Sequence, residues 1–137
     1  MTRDDFKILH SELIMYCQCI EFDLKRIYSG MSTGDFNDNM DMLETSNLGR
    51  TLTKLKRLDY SDGNPDLSES DYELLNQIRE IRNYWCHQCY IDFVYINDDY
   101  RYENEFQRIS RRLTNEHNRL YNIHRKLENL YFDEYAR

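Results

Sequence analysis

The sequence predicts an all-α protein: an antiparallel four-helix bundle with a short extra helix or loop between its first two helices. Three observations predict it. Among 137 residues there are only 4 Gly and 1 Pro, a poor supply of what tight turns and left-handed backbone need in a β-sandwich or barrel. Apolar residues recur every three or four positions over long stretches, the period of a helix buried on one face. Dense turn signals are few, which leaves long amphipathic segments joined by short polar links. The length suits one domain over residues 1–137.

Helix one carries Phe6, Leu9, Leu13, Cys17, Ile20, Leu24 and Ile27 in steps of three and four, with Gly30 ending it. Asp4 and Asp5 near its start and Lys25 and Arg26 near its end match the helix dipole. Residues 31 to 46 are acidic and rich in cap-type residues, with Met40 and Leu43 as the clear apolar pair, and read as a loop with a short helical piece. Helix two follows Ser46 or Asn47 as cap and places Leu48, Leu52, Leu55 and Leu58 on one face, with Gly49 allowing close approach to a neighbour. Asp59 to Asp66 is the dense turn cluster and reads as a surface loop. Helix three opens on the capping signal Ser68 to Asp71 and is predicted from about Glu69 to Tyr95, where Asn97, Asp98 and Asp99 break the pattern. Helix four carries Phe106, Ile109, Leu113, Leu120, Ile123, Leu127 and Leu130, interrupted by His117, and reaches almost to the C-terminus.

Composition narrows function. Asp and Glu total 25 against 18 Lys and Arg, for a formal charge of −7, which argues against broad nonspecific coating of nucleic acid. Gly30, Gly34, Gly49 and Gly63 each stand alone, excluding a dinucleotide fingerprint and a Walker loop. Twelve tyrosines predict a modest core rimmed by amphipathic rings. The start, Met1 to Asp5, lacks the basic and apolar regions of a secretory signal, and the apolar run Leu13 to Cys17 is too short for a bilayer, so a cytoplasmic protein with no membrane association is expected. The cysteines fall as Cys17-x-Cys19 and Cys86-x-x-Cys89, with His87 beside the second pair. Residues two apart on a helix diverge by about 200°, so Cys17 and Cys19 cannot share an ion. Four free thiols, mostly packed, and no metal or cofactor are expected.

Helix three holds the anomaly. On a wheel of about 100° per residue with Arg82 at zero, Ile81, Leu74, Trp85, Ile78, Cys89, Phe93 and Leu75 share a core arc of about 120°. Glu80, Tyr84, Gln77 and Gln88 form a polar sector. The remaining sector gathers Arg82, Cys86, Arg79, Tyr90, Asn83 and His87, without a carboxylate among them. Such a set suits an anion: arginine forks phosphate oxygens, asparagine adds a neutral hydrogen bond, and histidine exchanges protons near neutrality.

Arg82-Asn83-Tyr84-Trp85-Cys86-His87 resembles the signature of the HEPN superfamily, an Arg, a polar neighbour and a His a few positions on, set late in the third long helix of a small helical protein. The resemblance implies a metal-independent endoribonuclease, commonly a toxin or phage-defence effector, acting as a homodimer with the signature helices at the interface. By it Arg82 and His87 form the catalytic pair, Asn83 assists, and Arg79 and Tyr90 join the substrate-binding face. The toxin branch partnered by minimal nucleotidyltransferase antitoxins carries Tyr two residues after the His; here Cys89 holds that place and Tyr90 follows, predicted on the wheel to rejoin the arginine sector.

RNA cleavage needs a base to deprotonate the 2′-hydroxyl, cations at the phosphorane and an acid for the leaving 5′-oxygen. A two-fold dimer supplies two copies of His87 and Arg82 for those tasks, giving a 2′,3′-cyclic phosphate and a 5′-hydroxyl. Residues 47 to 58 hold Arg50, Lys54, Lys56 and Arg57 with no acid, and residues 106 to 126 hold Arg108, Arg111, Arg112, Arg119, Arg125 and Lys126 against Glu116 alone, segments able to line a phosphate path. The plainer alternative has Arg82 salt-bridged to an acid on a neighbouring helix and His87 as a surface residue. The chain is then a noncatalytic helical dimer binding a protein partner or nucleotide, which a tyrosine-rich surface also suits. His117 reads as a satisfied core histidine, His10 and His124 lack supporting neighbours, and Trp85 reads as packing.

Overall fold

In a computed structural model, which describes residues 1–136, the chain is all-helical. Its helices are α1 (Arg3–Met31), α2 (Phe36–Leu43), α3 (Leu48–Asp59), α4 (Glu69–His87), α5 (Ile91–Val94) and α6 (Asp99–Leu130), followed by a π-helical turn (Tyr131–Tyr135). No strand forms among the described residues, and none of their helices is long and apolar enough to cross a membrane.

Local chemistry sets the starts. Thr2 and Asp5 form a capping box at α1, as do Ser68 and Asp71 at α4. Asp35, Asn47 and Asp98 cap α2, α3 and α6 through their side chains. The expected short helical piece is α2, and Asn47, not Ser46, caps α3. Gly30 does not end α1, which continues to Met31. Its purpose is close packing: a Cβ on Gly30 would lie 2.7 Å from the Cβ of Tyr135. Gly49, by contrast, has only ordinary clearance from Asn47 and permits no close helix approach.

One core joins the elements. Phe6, Leu13, Cys17, Ile20, Leu24 and Ile27 of α1 pack with Leu52 and Leu55 of α3, Leu75, Ile78 and Trp85 of α4, and Ile109, Leu113 and Leu120 of α6, all buried. Directions follow from the cross-helix pairs. Glu21 meets Arg82 while His10 meets Trp85, so α1 and α4 are antiparallel. Asp71 meets Lys126 while Trp85 meets Glu116, so α4 and α6 are antiparallel too. Arg3 bonds Tyr102 whereas Asp23 faces His124, so α1 and α6 run the same way, contrary to the uniformly antiparallel packing that the sequence predicts. The reason is α2, which packs on the end of α1 through the bond from Asn39 Nδ2 to the Ser29 carbonyl and makes the return stroke. α3 therefore starts beside Glu21 and Lys25 and ends near Gly30 and Met31, parallel to α1.

The predicted single helix from Glu69 to Tyr95 is two. α4 stops at His87, a turn occupies residues 88–90, and α5 follows. Neither Gly nor Pro marks the break. Instead the Tyr84 carbonyl accepts from both Gln88 and Cys89 N–H, and the Trp85 carbonyl accepts from Cys89 Sγ and from His10 Nε2 at 2.6 Å. Asp92 braces the bend by accepting from the Tyr84 hydroxyl and Gln88 Nε2, bonds that hold its carboxyl below the usual range. Helix four begins earlier than its first apolar residue, because Asp98 caps it eight residues before Phe106.

Candidate active site

The predicted site residues separate into three environments. Arg79 and Arg82 line a groove of about 390 Å³ walled by Glu21 and Lys25 of α1 and by the start of α3, from Ser46 to Gly49 and Thr51. Arg82 Nη1 donates to Glu21 Oε1, and the two side chains keep 33% and 26% of their exposure. This is the salt bridge to a neighbouring helix that the plainer sequence reading names. Beside it α3 presents its first amide N–H groups, of which Leu48 and Gly49 have no intrahelical acceptor. With Lys25, Arg79 and these amides, the groove has the donors to hold an anion.

Asn83 and His87 stand one helical turn apart on α4 and are exposed; neither they nor Arg79 makes a side-chain hydrogen bond or ion pair among the described residues. The groove that holds Arg82 is not lined by His87. They are five positions apart, about 140° around the helix, so Arg82 turns toward α1 while His87 turns toward solvent. Within one chain Arg79, Asn83 and His87 follow one another one turn apart along the outward side of α4, Arg79 also reaching the groove of Arg82, from which His87 is turned away.

Tyr90 does not rejoin them. The wheel that placed it there assumed an unbroken helix, and the turn at residues 88–90 swings its ring onto Phe6, His10 and Phe93, with centroids 5.6, 5.2 and 5.8 Å away. Partial burial raises its phenol pKa. Tyr90 is a packing residue at the foot of α1.

Other residues gain partners that the sequence hid. His10, which the sequence left without neighbours, donates from Nε2 to the Trp85 carbonyl and stacks on Phe6. His124 lies between Asp23, 3.6 Å away, and Glu128, 3.4 Å away, and His117 sits at the rim, 3.3 Å from Glu12. Trp85 is packed, and its indole N–H donates to Glu116. Cys17 and Cys89 are buried, Cys19 is half-buried and Cys86 is exposed, all as free thiols. Among the described residues no three His, Cys, Asp or Glu side chains gather as a metal site. Sequence reasoning named the arginines but missed Glu21, Lys25 and the α3 amides, whose positions depend on how α1 and α3 pack. No protein-family model, curated protein or solved structure matches this chain.

Proposed function

We propose that this chain is a HEPN-type, metal-independent endoribonuclease whose four main helices form the scaffold of a homodimer, with the active site completed between two copies of α4. The observation that carries the reading is the outward strip of α4: Arg79, Asn83 and His87 are exposed and unpaired among the described residues, beside an arginine already fixed by Glu21. A second copy of the strip would bring a second His87, so that one imidazole removes the 2′-hydroxyl proton and the other protonates the leaving oxygen. Arg82 and Arg79 would stabilise charge on the phosphorane, with Asn83 orienting it.

The test is incubation of RNA with the protein in EDTA. Cleavage to 2′,3′-cyclic phosphate and 5′-hydroxyl ends is expected, lost in both His87→Ala and Arg82→Ala while the dimer persists. Intact RNA at high protein concentration, or a monomer in solution, would overturn the reading. The Arg82–Glu21 ion pair favours a second one: a noncatalytic helical dimer that binds a protein partner or nucleotide, in which Arg82 is purely structural. RNA left intact by a protein that still dimerises supports it.

A further inference from the structure

The outer face of α6 is basic and amide-rich, although the chain as a whole is acidic. Arg111, Asn115, Asn118, Arg119, Asn122 and Arg125 are all exposed, and at about 100° per residue they share an arc of about 120°. No apolar side chain and no carboxylate interrupts that arc. Between residues 106 and 127 the one acid is Glu116, and it is withdrawn: its carboxylate takes the Trp85 indole N–H and Arg112 Nε, leaving 14% of the side chain exposed. Along this stretch Arg108 is paired with Glu105 and Lys126 with Asp71. Arg111, Arg119 and Arg125 have no acidic partner among the described residues.

We infer that this face of α6 is a docking surface for the sugar-phosphate backbone of RNA. The three arginines span about 21 Å of helix axis, which matches about six phosphates at a per-strand spacing of about 3.4 Å. Arginine supplies forked donors to phosphate oxygens, and the intervening amides both donate and accept, as ribose hydroxyls and base edges require. A lipid surface fits less well, because an interfacial helix inserts apolar side chains and this arc has none. α6 also lies directly against α4 through the Arg112 guanidinium, 3.8 Å above the Tyr84 ring, so a strand held on α6 would run beside the strip bearing His87. The choice of RNA over another polyanion rests on the ribonuclease reading; the surface itself does not.

The probe is a fluorescein-labelled 2′-O-methyl oligouridylate, which lacks the attacking hydroxyl and so reports binding without cleavage. Each arginine on a phosphate contributes about 0.7 to the slope of log affinity against log salt for a single strand. Arg111→Ala/Arg119→Ala/Arg125→Ala should therefore flatten the slope by about 2, where the parent weakens by about twentyfold or more for a fourfold rise in salt. Arg3→Ala/Lys7→Ala, which removes two charges from exposed positions at the start of α1, should keep the parent slope. An unchanged slope in the α6 variant, an equal loss per charge in the α1 variant, or equally tight binding of oligoglutamate overturns the inference. Salt-dependent binding of the probe by a protein that leaves ordinary RNA intact supports it and defeats only the ribonuclease reading.

Discussion

Glu21→Ala, Arg82→Ala and their double variant ask what the central ion pair does. The contact joins α1 to α4, and its side chains are about one third and one quarter exposed. Exposed pairs contribute about 0.2–1 kcal/mol, whereas breaking a buried pair costs about 3–5 kcal/mol. A half-buried pair falls between them, so a coupling energy of about 1–2 kcal/mol is expected from a double-mutant cycle in urea. For a chain of this size a loss of that order corresponds to a drop of about 3–7 °C in Tm for either single variant. Coupling below about 0.5 kcal/mol would mean that the contact does not order the side chains in solution. Cleavage assays divide the roles further. Both single variants lose the same bond, so a purely structural arginine makes them equal in activity as well as in stability. If Arg82 also stabilises the phosphorane, Arg82→Ala should fall at least about 10²-fold below Glu21→Ala, the usual effect of removing a transition-state donor. Equal activities would falsify the catalytic assignment of Arg82.

Asp59 accepts hydrogen bonds from Asp66 N–H, Leu67 N–H and the Tyr72 hydroxyl, pinning the surface loop to the start of α4. Asp59→Asn sets an amide against the buried Leu67 N–H and should cost about 2 kcal/mol in chemical denaturation; a change under about 0.5 kcal/mol would show that the loop re-forms without it. In the folded protein Cys86 should alkylate with iodoacetamide, read by mass spectrometry. Cys17 and Cys89 should wait for unfolding, since burial pushes their thiols up to about 12 and about 11. Burial and bonds to carboxylates also raise the phenols of Tyr72, Tyr84 and Tyr135, that of Tyr84 to about 12. Because the folded state holds those protons after the unfolded chain releases them near pH 10, stability should fall between about pH 10 and 12. Tyrosinate absorbance appearing in full before any loss of helix would contradict that.

Most helices were legible because their signals are local. The stripe from Phe6 to Ile27 set α1, Asn47 and Ser68 set the starts of α3 and α4, and the turn cluster after Asp59 set the surface loop. What stayed hidden depends on tertiary partners. The end of α4 is one case: the carbonyls of Tyr84 and Trp85 are captured by Cys89 and His10, and His10 lies 75 residues away from Trp85. Helix direction is another. Apolar period says which face is buried but not which way a neighbour runs, and the eight residues of α2 make the return stroke that leaves α3 parallel to α1.

The candidate site shows the same division at finer scale. A wheel is valid only while the helix lasts, so it ordered Arg79, Arg82, Asn83 and His87 correctly and misplaced Tyr90 beyond the break. Even within α4 a shared sector does not mean a shared environment. α1 covers the edge at Arg82 and supplies Glu21, while the edge at His87 is left to solvent. That asymmetry constrains the proposed dimer. A two-fold axis passing near Asn83 and His87 would place both imidazoles in one cleft and leave each Arg82 at its wall, still held by its own Glu21. An axis on the far side of α1 would leave both histidines wetted on opposite walls, where neither could serve the other's proton transfer.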